Sequence, residues 1–186
     1  MTELIEYYKG IFTILSSCAS RQLEEVTFRR TVIPVQELLD AAGKYFKKLM
    51  KNRSERIELE IESMEAKVIG DVNQLRFLLE NLIDEALTVR EDGVIRLQAR
   101  KDNEYIRFLF TDTRREKSVE ELNQLFYPNL ARMTSGEKGE LRGTEYLVCK
   151  QIIRDHDEFA GRRGCRINAE PAEGGGFTVY FTIPRR

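Results

Sequence analysis

Cysteine, histidine and tryptophan are scarce in this chain of 186 residues, which has three cysteines, one histidine and no tryptophan. Cys18, Cys149 and Cys165 are odd in number and lie far apart, with no CxxC pair and no metal-ligand spacing. This pattern favours free thiols in a reducing compartment over a disulfide framework. We therefore predict a cytoplasmic protein.

Long apolar runs are also missing. A membrane-spanning helix needs about 18 or more consecutive apolar residues, and the sequence has no such run. The stretch from Leu15 to Cys18 matches a lipoprotein cleavage box, but Glu3 and Glu6 precede it and the apolar run from Ile11 is short. Because a secretory signal has a basic start and about 7 to 15 apolar residues, we expect no such signal here.

The chain lacks an excess of charge of either sign. It has 30 Lys and Arg against 31 Asp and Glu, a net charge of -1. Nothing in this balance requires a polyanionic partner, so no nucleic-acid binding is predicted. The length fits one globular domain with an appended helix.

The segment 1–31 has the spacing of an amphipathic helix. Its apolar residues recur every three or four positions, as Leu4, Tyr8, Ile11, Leu15 and Cys18 do. Such a stripe must be buried against something. Packing on the chain's own core is one interpretation, and a docking or dimerising helix that makes a homodimer is the other.

Residues 32–186 have the pattern of a single domain in which helical and strand periods alternate. The predicted helices are Val35 to Leu49, Asn73 to Val89, Val119 to Phe126 and Thr144 to His156. The predicted strands are Arg56 to Glu62, Lys67 to Ile69, Val94 to Arg100, Tyr105 to Thr111, Cys165 to Ala169 and Phe177 to Ile183. This order predicts an α+β fold, with helices on one face of a mixed, mostly antiparallel sheet.

Several short motifs stand in a fixed order within this domain. Gly70-Asp71 ends a strand, Asn81 begins an Asn-x-x-x-Glu-Ala pattern on a helix, Asp112 ends another strand, and Leu125-Phe126-Tyr127 precedes a glycine-containing segment. A final strand ends in Phe-Thr-Ile-Pro. Together these motifs resemble the ATPase domain of the GHKL superfamily, with its Bergerat fold, and most of all the catalytic domain of bacterial sensor histidine kinases. The resemblance covers residues 32 to 184.

The resemblance implies roles for individual residues. Asn81 matches the first asparagine of the family's helix pattern, and Glu85 stands where the family has its magnesium-binding asparagine. A carboxylate is also a ligand that Mg²⁺ accepts. Asp112 matches the aspartate that accepts a hydrogen bond from the adenine amino group. The alternatives are that Asn81 bonds backbone, Glu85 is an exposed charge and Asp112 forms a turn.

The same resemblance shows where this chain departs from the family. Arg114 and Glu116 replace the two glycines that follow the adenine aspartate, and Leu141 and Glu145 replace two of the three lid glycines, so that only Gly143 remains. Backbone amides in such loops cradle phosphates. The predicted nucleotide site is therefore Asn81, Asp112 and Gly143 with Glu85 for the metal, and weak or absent binding of ATP and Mg²⁺ is expected.

Three functions follow from this comparison. The first is a bacterial signal-transduction module with protein partners and with impaired or absent kinase activity. The second is a divergent, working domain that phosphorylates a histidine of another segment or protein. The third is a protein-binding regulator of the anti-sigma type. His156 lies late in a helix, whereas the resemblance places the phosphoacceptor at the start of a preceding helical hairpin. We therefore expect either a C-terminal piece of a longer protein or a form that never autophosphorylates.

Overall fold

The computed structural model describes residues 28–128 and 144–186, together with residues 4–5, 8–9, 12, 134–135 and 141–142. The described helices are α1 (Val35–Met50), α2 (Val72–Ala86), α3 (Val119–Asn123) and α4 (Glu145–Phe159). The described strands are β1 (Thr31–Pro34), β2 (Ile57–Ile61), β3 (Lys67–Gly70), β4 (Gly93–Asp102), β5 (Tyr105–Asp112), β6 (Thr134–Ser135), β7 (Leu141–Arg142), β8 (Ile167–Pro171) and β9 (Phe177–Pro184).

The main sheet has five strands in the order β2-β4-β5-β9-β8. Strand β2 runs parallel to β4, and the other neighbours are antiparallel. Strands β1 and β3 form a separate antiparallel pair, as do β6 and β7. The predicted α+β fold, with a mixed and mostly antiparallel sheet, is confirmed.

The core lies between the sheet and the helices. In the centre of the sheet, Phe108 is opposite Phe181 and the two rings stack with centroids 4.9 Å apart. Helix α2 supplies an apolar stripe that includes Leu75, Leu78 and Leu82, all buried. Alternation along the strands and the 3.6-residue period of the helices place these side chains in one layer.

Helix α2 begins where the sequence predicted a boundary. The side chain of Asp71 accepts hydrogen bonds from the backbone N–H groups of Asn73 and Gln74. This N-cap satisfies two donors that have no partner within the helix. The helix ends at Ala86, three residues earlier than the pattern suggested, and the carbonyl of Ala86 accepts a hydrogen bond from the Arg114 side chain.

Strand β1 was not predicted. It has only four residues, too few to show a clear alternation of apolar and polar side chains. It also ends in Pro34, and proline has no backbone N–H to donate to a neighbouring strand. Pairing with β3, Val32 opposite Ile69 for example, forms it through contacts that are distant in sequence. Helix α3 is also shorter than predicted and ends at Asn123.

Of the predicted N-terminal helix, residues 4–5, 8–9 and 12 are described and are helical. Their apolar side chains Leu4, Ile5, Tyr8 and Phe12 are exposed. The remaining residues before 28 lie outside the described part of the chain, so the docking or dimerising role stays a prediction. Within the described residues, no helix combines the length and the apolar character that a membrane crossing needs.

Candidate functional site

The site residues predicted from the sequence lie on two elements. Asn81 and Glu85 are on α2, which packs against both α1 and α4. Asp112 is the last residue of β5. Gly143 lies outside the described residues.

Asp112 is bound by an arginine two residues further along the chain. Nε of Arg114 donates to Oδ1 of Asp112 and Nη2 donates to Oδ2, both at 2.9 Å. The backbone N–H of Arg114 also donates to Oδ1, at 3.0 Å. Both side chains are 1% exposed. The carboxylate that the resemblance assigns to adenine is therefore already occupied by a bidentate, charge-assisted pair.

The same guanidinium also binds the end of α2. Nη2 of Arg114 donates to the carbonyl of Ala86 at 2.6 Å, and Nη1 donates to the carbonyls of Val89 and Glu91 at 3.2 and 3.0 Å. These carbonyls belong to the last turn of the helix and the loop after it, where no partner exists within the helix. Arg114 thus joins β5 to the C-terminal end of α2.

Two glycines make room for this arrangement. A Cβ on Gly93 would lie 2.5 Å from Cγ of Arg114, and one on Gly176 would lie 2.1 Å from the backbone oxygen of Asp112. Both have positive φ, at 145° and 82°. Among the described non-glycine residues only Asn103 has a positive φ, so Arg114 itself sits in ordinary backbone. The side chain of Arg114 therefore fills the space beside Gly93.

Two further cations lie near this pair. Nε of Arg115 is 3.4 Å from Oδ2 of Asp112, with 19% of the Arg115 side chain exposed. Cζ of Arg115 and Nζ of Lys117 lie 5.9 and 5.5 Å from the centroid of the buried Phe177 ring. The surroundings of Asp112 are therefore rich in positive charge supplied by the chain.

Asn81 makes its described hydrogen bond within its own helix. Its Nδ2 donates to the carbonyl of Phe77 at 2.7 Å, and the residue is buried. This contact corresponds to the structural alternative raised above, in which the amide bonds backbone. A role for Asn81 toward nucleotide stays a prediction.

Acidic side chains lie on both α2 and α4. Oδ1 of Asp84 accepts a hydrogen bond from the Tyr45 hydroxyl at 2.6 Å. Burial raises the pKa of Asp84, and the charge of Glu145 on α4 raises it further, while the Tyr45 bond lowers it. Burial also raises the pKa of Cys149, helped by the charges of Glu145 and Glu85. Carboxylates of both helices thus act on one region.

No group of three or more His, Cys, Asp or Glu side chains in the described part of the chain is arranged to hold a metal ion. The assignment of a metal to Glu85 therefore stays a prediction from the resemblance. The charges of Glu145 and Glu85 both act on the Cys149 thiol.

The single histidine is buried and hydrogen-bonded within the fold, which the sequence did not predict. His156 is fully buried, and its Nε2 accepts a hydrogen bond from the backbone N–H of Asp71 at 3.1 Å. Nδ1 lies 2.8 Å from the carbonyl of Ile152, so the ring is neutral and donates from Nδ1. Burial lowers the pKa of His156, against opposing effects of the Ile152 bond and of Asp71.

Comparison with known proteins agrees with this architecture. Residues 70–186 match the family model of the histidine kinase-, DNA gyrase B- and HSP90-like ATPases, over more than half of the chain. No curated protein is similar enough to count as a match.

Solved structures of histidine kinases have the same fold. The nucleotide-free catalytic domain of ThkA is 21% identical with a TM-score of 0.65, over 84% of this chain and 96% of that one. The mycobacterial sensor histidine kinase MprB is 19% identical with a TM-score of 0.64, over 84% and 98%. A complex of ThkA with the response regulator protein TrrA is 19% identical with a TM-score of 0.68, over 97% and 48%. The chain therefore belongs to the histidine kinase-, DNA gyrase B- and HSP90-like ATPase family.

Proposed function

We propose that this chain is a signalling module of the histidine-kinase type that works through protein contacts and not through turnover of ATP. The observation that carries the proposal is the buried pair of Arg114 and Asp112. An adenine amino group needs the Asp112 carboxylate as its acceptor, and the chain's own guanidinium already holds both oxygens. Arg114 takes the place of the base.

The free-energy cost of displacing Arg114 from Asp112 supports the proposal. To admit adenine at Asp112, the protein has to break two charge-assisted bonds to the carboxylate and three bonds to the carbonyls of Ala86, Val89 and Glu91. Displacing Arg114 leaves the buried Asp112 carboxylate without the guanidinium that balances its charge, and leaving one charge of a buried pair behind is strongly unfavourable. A nucleotide contributes one amino-group bond at the same place, so displacement of Arg114 is unfavourable.

The phosphate side of the site supports the same conclusion. Burial is the main cause of the raised pKa of Asp84 and of the Cys149 thiol, and the charge of Glu145 raises both further, with Glu85 also acting on Cys149. Carboxylates of α2 and α4 therefore add negative charge to the same region. A triphosphate carries negative charge of its own, and like charges a few ångströms apart repel in a partly buried site. Phosphoryl transfer relies on positioning and on electrostatic stabilisation, and these carboxylates oppose both.

A protein partner fits this reading. The solved complex of ThkA pairs a histidine kinase with a response regulator, and we propose a partner of that class for this chain. We also propose that the protein acts in the cytoplasm, because Cys149 and Cys165 are free and buried thiols.

Calorimetric titration with Mg-ATP and with Mg-ADP tests the proposal. We expect no binding at micromolar nucleotide. Micromolar, magnesium-dependent binding that Asp112→Asn abolishes would overturn it and favour the working-kinase alternative. Arg115→Ala is the matched control, because it removes a neighbouring arginine that makes only a longer contact with Asp112.

A further inference from the structure

The outer face of the β1 and β3 pair carries apolar side chains that are open to solvent. Residues directly opposite each other in an antiparallel pair lie on the same face, and Val32 is opposite Ile69 while Pro34 is opposite Lys67. The residues that alternate with them are buried in the core, so these four side chains point outward. Val32 is 43% exposed.

Cations surround this apolar strip. Lys67, Arg186 and Arg30 are exposed, and Arg185 is partly exposed. The backbone N–H of Arg186 donates to the carbonyl of Lys67 at 3.1 Å, and Arg185 forms a β-bridge with Val68, which places both arginines beside β3. In the described part of the chain, no carboxylate forms an ion pair with any of these four cations. We use the name basic face for the outward residues of this region, which are Arg30, Val32, Pro34, Lys67, Ile69, Arg185 and Arg186.

The carboxylates near the basic face do not cancel its charge. The carbonyl of Glu104 accepts hydrogen bonds from the backbone N–H of Arg185 at 2.8 Å and from Nη1 of Arg162 at 3.3 Å. The Glu104 carboxylate is paired with the same Arg162, at 2.6 Å. Glu65 is exposed two residues before Lys67, and the four cations of the basic face outnumber it. A local positive excess therefore exists in a chain whose net charge is only -1.

Phe159 adds an aromatic ring beside the basic face. It is the last residue of α4 and is half exposed. A Cβ on Gly161 would lie 2.6 Å from Cζ of Arg30, so the chain just after α4 adjoins the basic face. Apolar and aromatic side chains among Lys and Arg are typical of protein surfaces that lie on membranes, because the apolar groups enter the headgroup boundary and the cations attract anionic lipids.

We propose that the basic face binds the surface of an anionic lipid membrane. Its cations bind the phosphate and carboxylate groups of the lipid heads, and Val32 with Ile69 lies at the boundary between the heads and the acyl chains. Clusters of about four to eight Lys and Arg residues are typical of such surfaces. The basic face contains neither Asp112 nor Arg114, so the inference goes beyond the proposed function and does not rest on it.

Co-sedimentation of the full chain with lipid vesicles tests the inference. We expect binding to phosphatidylcholine vesicles that contain about 30% phosphatidylserine, and binding at least about tenfold weaker to pure phosphatidylcholine. Raising the salt from about 0.1 M to about 0.5 M should weaken the binding about tenfold, because salt screens the attraction. Equal binding to both kinds of vesicle, or binding to neither, overturns the proposal.

Charge reversal locates the surface that binds. Lys67→Glu combined with Arg186→Glu should lower the partition onto the anionic vesicles at least about tenfold. Lys44→Glu combined with Lys47→Glu is the matched control, since it reverses two exposed lysines on α1 and changes the net charge equally. An equal loss in the two variants, or no loss in the first, overturns the proposal. If charge reversal unfolds the chain, Lys67→Gln with Arg186→Gln replaces it, with the same two outcomes.

A matched pair of valines separates a membrane from an acidic protein as the partner. Val32→Ser should weaken vesicle binding about threefold, because less apolar surface leaves water, and should leave its salt dependence unchanged. Val119→Ser is the control, since Val119 is 61% exposed on α3, and it should bind as the unmodified chain does. Soluble polyglutamate stands in for an acidic protein. Displacement from the vesicles by polyglutamate at equal charge, with no effect of Val32→Ser, assigns the basic face to an acidic protein and overturns the proposal.

Discussion

The guanidinium of Arg114 holds both carboxylate oxygens of Asp112 at 2.9 Å, with each side chain 1% exposed. A buried pair of this kind contributes little net stability, because the attraction offsets the cost of taking two charges out of water. Removing only one partner is costly, since the other charge then stays buried and unpaired. The pair is therefore a strong constraint on which substitutions this site tolerates.

Arg114→Ala should lower the free energy of unfolding by about 3 kcal/mol or more. It leaves the Asp112 carboxylate with one backbone donor and takes the donor from three carbonyls at the end of α2. Urea unfolding followed by circular dichroism measures the effect. Arg115→Ala is the control and should cost less than about 1 kcal/mol, because its contact is longer and partly exposed. Equal losses in the two variants would contradict this account of Arg114.

Arg114→Gly should create measurable binding of adenosine where the unmodified chain shows none. The substitution empties the space beside Asp112 and restores the residue type that the family has at this position. We expect adenosine to bind at least as well as ATP, since the acidic groups near Glu145 oppose the phosphates but not the base. Calorimetry with both ligands measures the order of affinity. Adding Asp112→Asn to Arg114→Gly should abolish the gain, and a gain that survives it would show that the ligand binds elsewhere.

The main elements of the fold were predictable because their signals are local. The apolar stripe of α2 and the alternation of β4 and β5 follow from neighbouring residues. Strand β1 was not predictable in the same way. It exists through its pairing with β3, some 39 residues away at the contact of Thr31 with Gly70.

The candidate site was only partly predictable for the same reason. The position of Asp112 at a strand end follows from the pattern, and Arg114 two residues later was visible as a replaced glycine. Its contact with the carbonyl of Ala86 joins residues 28 positions apart, and that of His156 with Asp71 joins residues 85 apart. Such contacts depend on how the elements pack. The sequence around a single histidine on an amphipathic helix does not indicate which residue the imidazole will contact.

Asp84→Asn should leave the protein as stable at pH 7 or more stable by less than about 1 kcal/mol. The pKa of Asp84 is raised in the folded chain, so the ionised carboxylate is less favourable there than in the unfolded chain. This lowers the free energy of unfolding at pH values where Asp84 is ionised. The side chain is only partly buried, and solvent screening reduces the effect. Asparagine keeps an acceptor for the Tyr45 hydroxyl. Thermal unfolding at pH 7 and pH 4 measures the difference, which should shrink at the lower pH as Asp84 becomes protonated.

Tyr45→Phe is the matched control for that substitution. It removes the donor of the 2.6 Å bond and leaves the carboxylate in place, so it should cost about 1 kcal/mol at pH 7. A larger loss in Asp84→Asn than in Tyr45→Phe would show that the charge of Asp84 stabilises the fold, contrary to the direction of its pKa.

Stability should fall as the pH drops below about 6.5, the ordinary pKa of histidine in an unfolded chain. The folded pKa of His156 is lowered by burial, so between that value and about 6.5 the unfolded chain binds more protons and acid favours unfolding. Protonation also puts a donor on Nε2, facing the N–H of Asp71 that now donates to it. Urea unfolding between pH 7.5 and 5 measures how the free energy of unfolding changes with pH.

His156→Phe is the control, because it removes the chain's only histidine. Its free energy of unfolding should be about 1 to 3 kcal/mol lower at pH 7.5, and it should lack the part of the pH dependence that the imidazole causes. A slope that is the same in both proteins would assign the acid sensitivity to carboxyl groups and not to His156.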